Sequence, residues 1–269
     1  MDWSKAKTIL IGIFIFLNSF LLYMNVHSGN SKDISFELKQ STLEILEKRG
    51  VVLDCKIPDI NGEAKILNYE KGSYNEEKIL KKIYNSNEDI EEVKLNKEYI
   101  KDEIKIIFKN ENSMEYFNEK PDSQVNINNE TELKRSVVSF LRRISIPIPE
   151  NVIYRIEKQN EESVRVVLKQ KVGEYILFNE WITADISSKG IKHLKHTYIN
   201  IKGIEPGQKD IISAHKVLMI NANINMGGKI KSIDLGYKIN EGEQTKESLI
   251  NPTWHITTNK GEYYFDATN

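Results

Sequence analysis

The sequence is poor in the residues that mark several protein classes. It holds one Cys, six Pro and 14 Gly in 269 residues. A single thiol can neither close an internal disulfide nor assemble a thiolate zinc site. So little Pro and Gly excludes collagen-like or linker-dominated architecture. Net charge is also scarce: 38 Lys+Arg against 39 Asp+Glu leave −1, which excludes a protein that holds nucleic acid through cationic excess. A Gly-rich phosphate loop is missing, because Met226-Gly227-Gly228-Lys229 has neither the spacing nor the strand-to-helix setting. What remains, 39% hydrophobic and 29% charged residues, is the make-up of an ordinary folded chain.

The first positive signal is near the amino end. Thr8 to Val26 carries no charge, and as a helix it would span about 28 Å, close to one bilayer core. Before Tyr23 and Asn25 at its end, its only polar or small residues are Thr8, Gly12, Asn18 and Ser19, too few for the polar face of a surface helix. Lys5 and Lys7 precede it, so the positive-inside rule keeps residues 1–7 cytoplasmic and sends the rest of the chain outside. The competing reading is a cleaved signal peptide ending near Val26-His27-Ser28, but the apolar run exceeds the usual length of such a core. The expectation is a transmembrane helix over 8–26, single-pass, in the cell membrane. Thr8, Gly12 and Ser19 fall at spacings of four and seven, on one face where a second helix can approach closely, and Asn18 offers an interhelical hydrogen bond. These four residues are the candidate transmembrane contact with a partner.

After a hinge at 27–32, Asp33 can cap a helix to about Arg49, with Leu38, Thr42, Ile45 and Leu46 inward and Gly50 past its end. Val51 to Ile57 alternates as a half-buried strand, and Asn61-Gly62 turns it into a hairpin with Ala64–Tyr69. Asn75 opens a second helix with Ile79, Leu80 and Ile83 inward, and Glu103–Lys109 is a strand. Residues 111–128 are polar, hold Pro121 and show no period, which reads as a linker between a first lobe (33–110) and a second (129–269). The second lobe opens with a helix from Asn129 or Thr131 to Ile144. A meander follows over Val152–Lys158, Ser163–Lys171, Glu174–Ser187 and Ile191–Lys202. A helix from Asp210 to Asn221 and strands at Lys229–Ile239, Thr253–Thr258 and Glu262–Ala267 complete it. The expected class is α+β: one transmembrane helix, then two related lobes of antiparallel sheet packed by helices.

Chemistry-bearing residues are scattered. Cys55 shares its strand face with Val51, Leu53 and Ile57 and reads as a small buried hydrophobe. His193 and His196, three apart in a strand, point to opposite faces and do not chelate together. Asp185, Glu180 and Glu205 stand alone among strands and turns. Nothing in these spacings forms a catalytic constellation, implies a cofactor or gathers metal ligands.

The two ends of the chain carry a resemblance. Met1-Asp2-Trp3-Ser4-Lys5-Ala6-Lys7-Thr8, with an apolar span closing on Leu21-Leu22-Tyr23, resembles the opening of the YycI (WalI) family. Gly173-Glu174-Tyr175-Ile176-Leu177-Phe178, Ile212-Ser213-Ala214-His215-Lys216-Val217-Leu218, Leu235-Gly236-Tyr237, Pro252-Thr253-Trp254 and Tyr263-Tyr264-Phe265-Asp266-Ala267 are similar to its meander, short helix and closing strands. The family's usual glycine near the end is absent. The resemblance implies a non-enzymatic, membrane-anchored α+β domain outside the cell. It implies association with a YycH-like partner and with the WalK (YycG) sensor histidine kinase of cell-wall metabolism, partly through membrane helices. The alternative is a membrane-tethered, wall-facing ligand-binding protein or hydrolase, which predicts that Trp181, Trp254, Tyr198 and Asp185 converge on a cleft.

Overall fold

The structure, a computed structural model, describes residues 3–28, 34–84, 91–93, 97–226, 228–240 and 247–268; within the first helix, side chains are described at Trp3, Lys7 and 10–23. In chain order the first part holds α1 (Trp3–Ser28), α2 (Phe36–Lys48), β1 (Val52–Leu53), β2 (Glu63–Lys71) and α3 (Glu76–Tyr84). Short strands β3 (Glu91–Val93), β4 (Glu98–Lys101), β5 (Ile104–Asn110) and β6 (Ser113–Asn118) lead to α4 (Glu130–Arg143). A meander follows: β7 (Val152–Lys158), β8 (Ser163–Val172), β9 (Tyr175–Ser187), β10 (Gly190–Thr197) and β11 (Ile199–Asp210). The chain finishes with α5 (Ala214–Asn221), β12 (Lys229–Tyr237), β13 (Glu247–Ile250), β14 (Thr253–Thr258) and β15 (Glu262–Asp266).

Side-chain caps start the helices. Ser35 accepts from the Leu38 amide, Asn75 from Lys78, Asn129 from Thr131 and Glu132, and Ser213 from Lys216, each satisfying donors that the helix leaves free. The expected cap Asp33 lies outside the described residues. The last helix begins at Ser213, not Asp210, because Asp210 still pairs with Glu63 as the end of β11.

Twelve strands make one mixed sheet, and β11-β2-β13 make a second. The long strand β9 joins two wings. One edge pairs with β8 throughout; the other pairs in parallel with β12 at Ile176–Leu177 and antiparallel with β10 from Ile182. Three cores result. On one wing, α3 and α4 bury Ile79, Leu80, Leu133, Val137 and Leu141 against Phe108, Met114, Val166, Trp181 and Leu194. On the other, α2 and α5 bury Leu46 and Leu218 against Ile230, Trp254 and Ile256. Between them, Leu67, Tyr69 and Ile199 of the small sheet close over Leu177 and Tyr237. Burying such side chains contributes roughly 1.5–3 kcal/mol each.

The α+β class stands, and three local expectations change. Val51–Ile57 does alternate in burial, but only Val52–Leu53 pairs, and it does so in parallel with β12. No hairpin forms with β2, which sits between β11 and β13. Asn61-Gly62 specifies a reversal, not a partner; the buried Leu67 and Tyr69 find theirs in the distant Ile199 and Tyr237. Within the stretch expected as linker, Ser113–Tyr116 are buried and form β6, paired on both edges with β5 and β10. The expected strand Ile191–Lys202 splits at Tyr198, where the chain leaves one sheet for the other.

Candidate functional site

Helix α1 is one unbroken helix whose described side chains are exposed all round. Leu10, Phe14, Phe16 and Leu22 keep 69%, 69%, 71% and 69% of their surface, an apolar area that water does not favour and that calls for covering. Gly12 has no atom within 4 Å of where a Cβ would sit, Ser19 is exposed, and the Asn18 Nδ2 donates to the Phe14 carbonyl at 2.8 Å. One Asn18 amide N–H is therefore engaged inside its own helix, leaving Oδ1 and the second N–H for a neighbour. At 100° per residue, Gly12 and Ser19 share a face, while Asn18 lies about 120° from Gly12. The Thr8 side chain lies outside the described residues. Among the described residues, no helix is long and apolar enough to cross a membrane; the continuous described side chains, Leu10–Tyr23, make about 21 Å of helix.

Beyond α1, exposed apolar side chains gather on α2 and its neighbours. Phe36, Leu43, Val52 and Ile220 are all more than half exposed. Leu43 and Val52 share a shallow hollow of about 250 Å³ with Val51 and Leu53.

The residues whose convergence would mark a cleft lie apart. Trp181 is 2% exposed within the core under α3 and α4, while Trp254 is fully buried in the other wing, its Nε1 donating to the Ile212 carbonyl. Tyr198 and Trp181 both flank His196, whose ring lies 5.5 Å from Trp181 and 5.9 Å from Tyr198. Asp185 is held by the Arg165 fork at 2.7 and 3.0 Å and by His193 Nδ1 at 3.3 Å. Partial burial pushes that carboxyl up, but the Arg165 hydrogen bonds and charge, with His193, hold it below the usual carboxylate range.

The histidines occupy separate settings. His193 and His196 face opposite sides of β10, as their spacing requires: His193 stacks on Phe117, while His196 is buried with Nδ1 2.6 Å from the Tyr74 hydroxyl. His215 bridges α2 and α5, with Nδ1 3.3 Å from Thr42 and Nε2 3.4 Å from Asp59, whose other oxygen holds Lys39. His255 stacks on Tyr264, and its Nε2 lies 3.2 Å from Glu262 without hydrogen-bond alignment. Burial raises the Cys55 thiol, with Asp234 and Asp54 adding to it, so the thiolate is disfavoured. No group of three or more metal-ligating side chains occurs among the described residues.

Sequence reasoning missed a polar groove of about 750 Å³ along α4 that includes Arg135 and Arg143. Its only sequence signal was the polar stripe of α4, which looks the same as a solvated face.

A solved structure of an uncharacterized protein from Eubacterium rectale ATCC 33656 is similar at 14% identity and a TM-score of 0.49, over 86% of this chain and 91% of that one. No curated protein matches. The family model described as YycI protein matches residues 29–268. That span contains the meander, the short helix and the closing strands that carry the resemblance, and lies downstream of the Met1–Thr8 motif. The chain belongs to the YycI family.

Proposed function

We propose that this chain is a non-enzymatic, membrane-anchored regulator of a WalK (YycG)-type sensor histidine kinase of cell-wall metabolism, and that it works through protein contacts. The family match over 29–268 supports a regulator associated with that kinase system. The observation that carries the contact is α1, an exposed helix with apolar side chains on every described face. In this reading α1 belongs to a single span running from Thr8 to Val26, with residues 1–7 cytoplasmic and the α+β domain outside. A YycH-like protein is the second partner. Thr8, Gly12 and Ser19 form the close-approach face of the span, with Asn18 Oδ1 as a lateral acceptor. Regulation then follows from differential binding: the chain shifts the kinase equilibrium by favouring one of its conformations. The placement of Trp181 and Trp254 in different cores runs against the hydrolase alternative, which needs them together.

The test is affinity capture of the full chain from mildly solubilised native membranes, beside a version with an unrelated transmembrane helix in place of 8–26. The kinase and a YycH-like protein are expected with the native chain, and the kinase is lost on the swap. A kinase that survives the swap removes the Thr8/Gly12/Ser19 face from the account. Recovery of neither partner overturns the regulatory reading.

A further inference from the structure

The groove along α4 has two walls of different origin. One is the polar side of α4, with Arg135, Ser136, Ser139 and Arg143. The other comes from the β4–β5 turn, β6 and the segment Asn118–Val125, with Asp102 and Asp122. Tyr116 and Phe140, 3% and 6% exposed with ring centroids 4.7 Å apart, are its apolar floor.

The second wall is built in place. The Ser123 amide donates to the Lys189 carbonyl at 2.8 Å and the Val125 amide to Ser188 at 3.0 Å, tying the segment to the β9–β10 turn. That turn passes so close that a Cβ on Gly190 would lie 3.1 Å from the Ser123 Cβ, at a φ of +117° that side chains rarely adopt. Asn118 accepts from the Lys120 amide, and Lys120 is paired with Glu103. Glu132 is occupied too, accepting from the Asn126 amide at 3.0 Å.

What is left unpaired is informative. Arg143 lies over the Phe140 ring at 5.1 Å, oriented by stacking, and neither it nor Arg135 has a carboxylate partner among the described residues. Asp102 and Asp122, both exposed, likewise have no cationic partner there. A fixed groove thus presents two guanidiniums on one wall and two carboxylates on the other elements.

Arg135 and Arg143 are eight residues apart, about 12 Å along the helix axis. An extended chain rises about 3.3 Å per residue and alternates its side chains, so positions i and i+4 fall on one side at about 13 Å. Guanidinium forks match carboxylates in geometry and charge. We propose that this groove binds an extended peptide segment of a partner protein, with carboxylates four residues apart facing Arg135 and Arg143 and basic side chains between them facing Asp102 and Asp122. This inference rests on the groove alone. Peptide binding without kinase association, or the reverse, therefore separates it from the regulatory reading.

The probe is a fluorescein-labelled, end-blocked heptapeptide, Ser-Glu-Lys-Thr-Lys-Glu-Ser, titrated with the full-length protein in detergent micelles and followed by fluorescence anisotropy. Saturable binding below about 1 mM is expected. It should weaken about tenfold or more for Arg135→Ala/Arg143→Ala, for a peptide with both Glu replaced by Gln, and for the scrambled Glu-Glu-Ser-Thr-Ser-Lys-Lys. It should also weaken with added salt. Unfolding curves identical to the native protein's establish that the variant is folded. No saturable binding, equal binding by the folded variant, or equal binding of the scrambled peptide overturns the proposal.

Discussion

Tyr74 and His196 meet across 122 positions of the chain. The Tyr74 hydroxyl lies 2.6 Å from Nδ1 and 3.0 Å from the His196 carbonyl. One hydroxyl has one proton, so the arrangement closes best with Nδ1–H donating to Tyr74 and Tyr74 donating to the carbonyl. Nε2 is then a bare lone pair among aromatic rings, cheaper to bury than an unpaired N–H or a charge. Burial drives the His196 pKa down to about 3. Because the folded value lies below the unfolded one, near 6.5, the unfolded state binds the extra proton between these two pH values. Stability is therefore present above pH 6.5 and declines as pH falls towards 3, by up to about 1.4 kcal/mol per pH unit from this group. His215 and His255 are lowered by burial as well, and act in the same direction. Urea unfolding of the protein from pH 7 to 4 should show this decline, and His196→Gln should lose about one proton's worth of slope whatever its absolute stability. A slope unchanged by the substitution contradicts the assignment. Tyr74→Phe should cost about 1–3 kcal/mol at pH 7, since it strands the Nδ1–H. The odd spacing of His193 and His196 made their opposite faces legible in sequence. The partner of His196 was not, because nothing local links residue 74 to residue 196.

At the scale of elements, β9 joins the two wings and β6 joins β5 to β10 within one of them. Where β9 runs parallel to β12, a Cβ on Gly236 would come within 2.2 Å of the Ile176 carbonyl and 2.7 Å of Phe178. Backbone atoms cannot retreat without breaking the ladder, so Gly236→Ala should destabilise by about 1–3 kcal/mol or more in chemical denaturation. A change under about 0.5 kcal/mol would contradict that close approach. Met114, fully buried in β6, separates a strand from a linker. Met114→Ala should cost about 2–5 kcal/mol, whereas the same change in a solvated linker costs almost nothing. Strands β7 and β14 were legible to the residue, and β8 nearly so, because their alternation is bounded by turns such as Gly173 and Asn259-Gly261. Helices α3 and α4 were legible from their caps and periodic apolar faces. β6 was hidden because its short apolar run is flanked by Asn, Glu and Pro, so composition over the window favoured a loop. The pairing of β2 was hidden because register with β11 is settled by a shared core formed some 130 positions later, not by the Asn61-Gly62 turn.

At the scale of the molecule, the described residues present open surfaces at more than one place. One is α1; another is the groove along α4, with an apolar patch on α2 close after the first helix. The first was legible in sequence as a charge-free run. The groove was not, since its walls come from residues 102 to 143 and only the tertiary fold aligns them. A regulator that acts by binding needs such surfaces and no reactive centre, and its effect is bounded by how differently it binds two kinase states. The most direct test reconstitutes the sensor kinase in liposomes, alone, with the full chain, and with the version whose 8–26 segment is exchanged, and measures autophosphorylation. The account predicts a rate change of about fivefold or more with the native chain, lost on exchange of the helix. An identical rate with and without the native chain would contradict it.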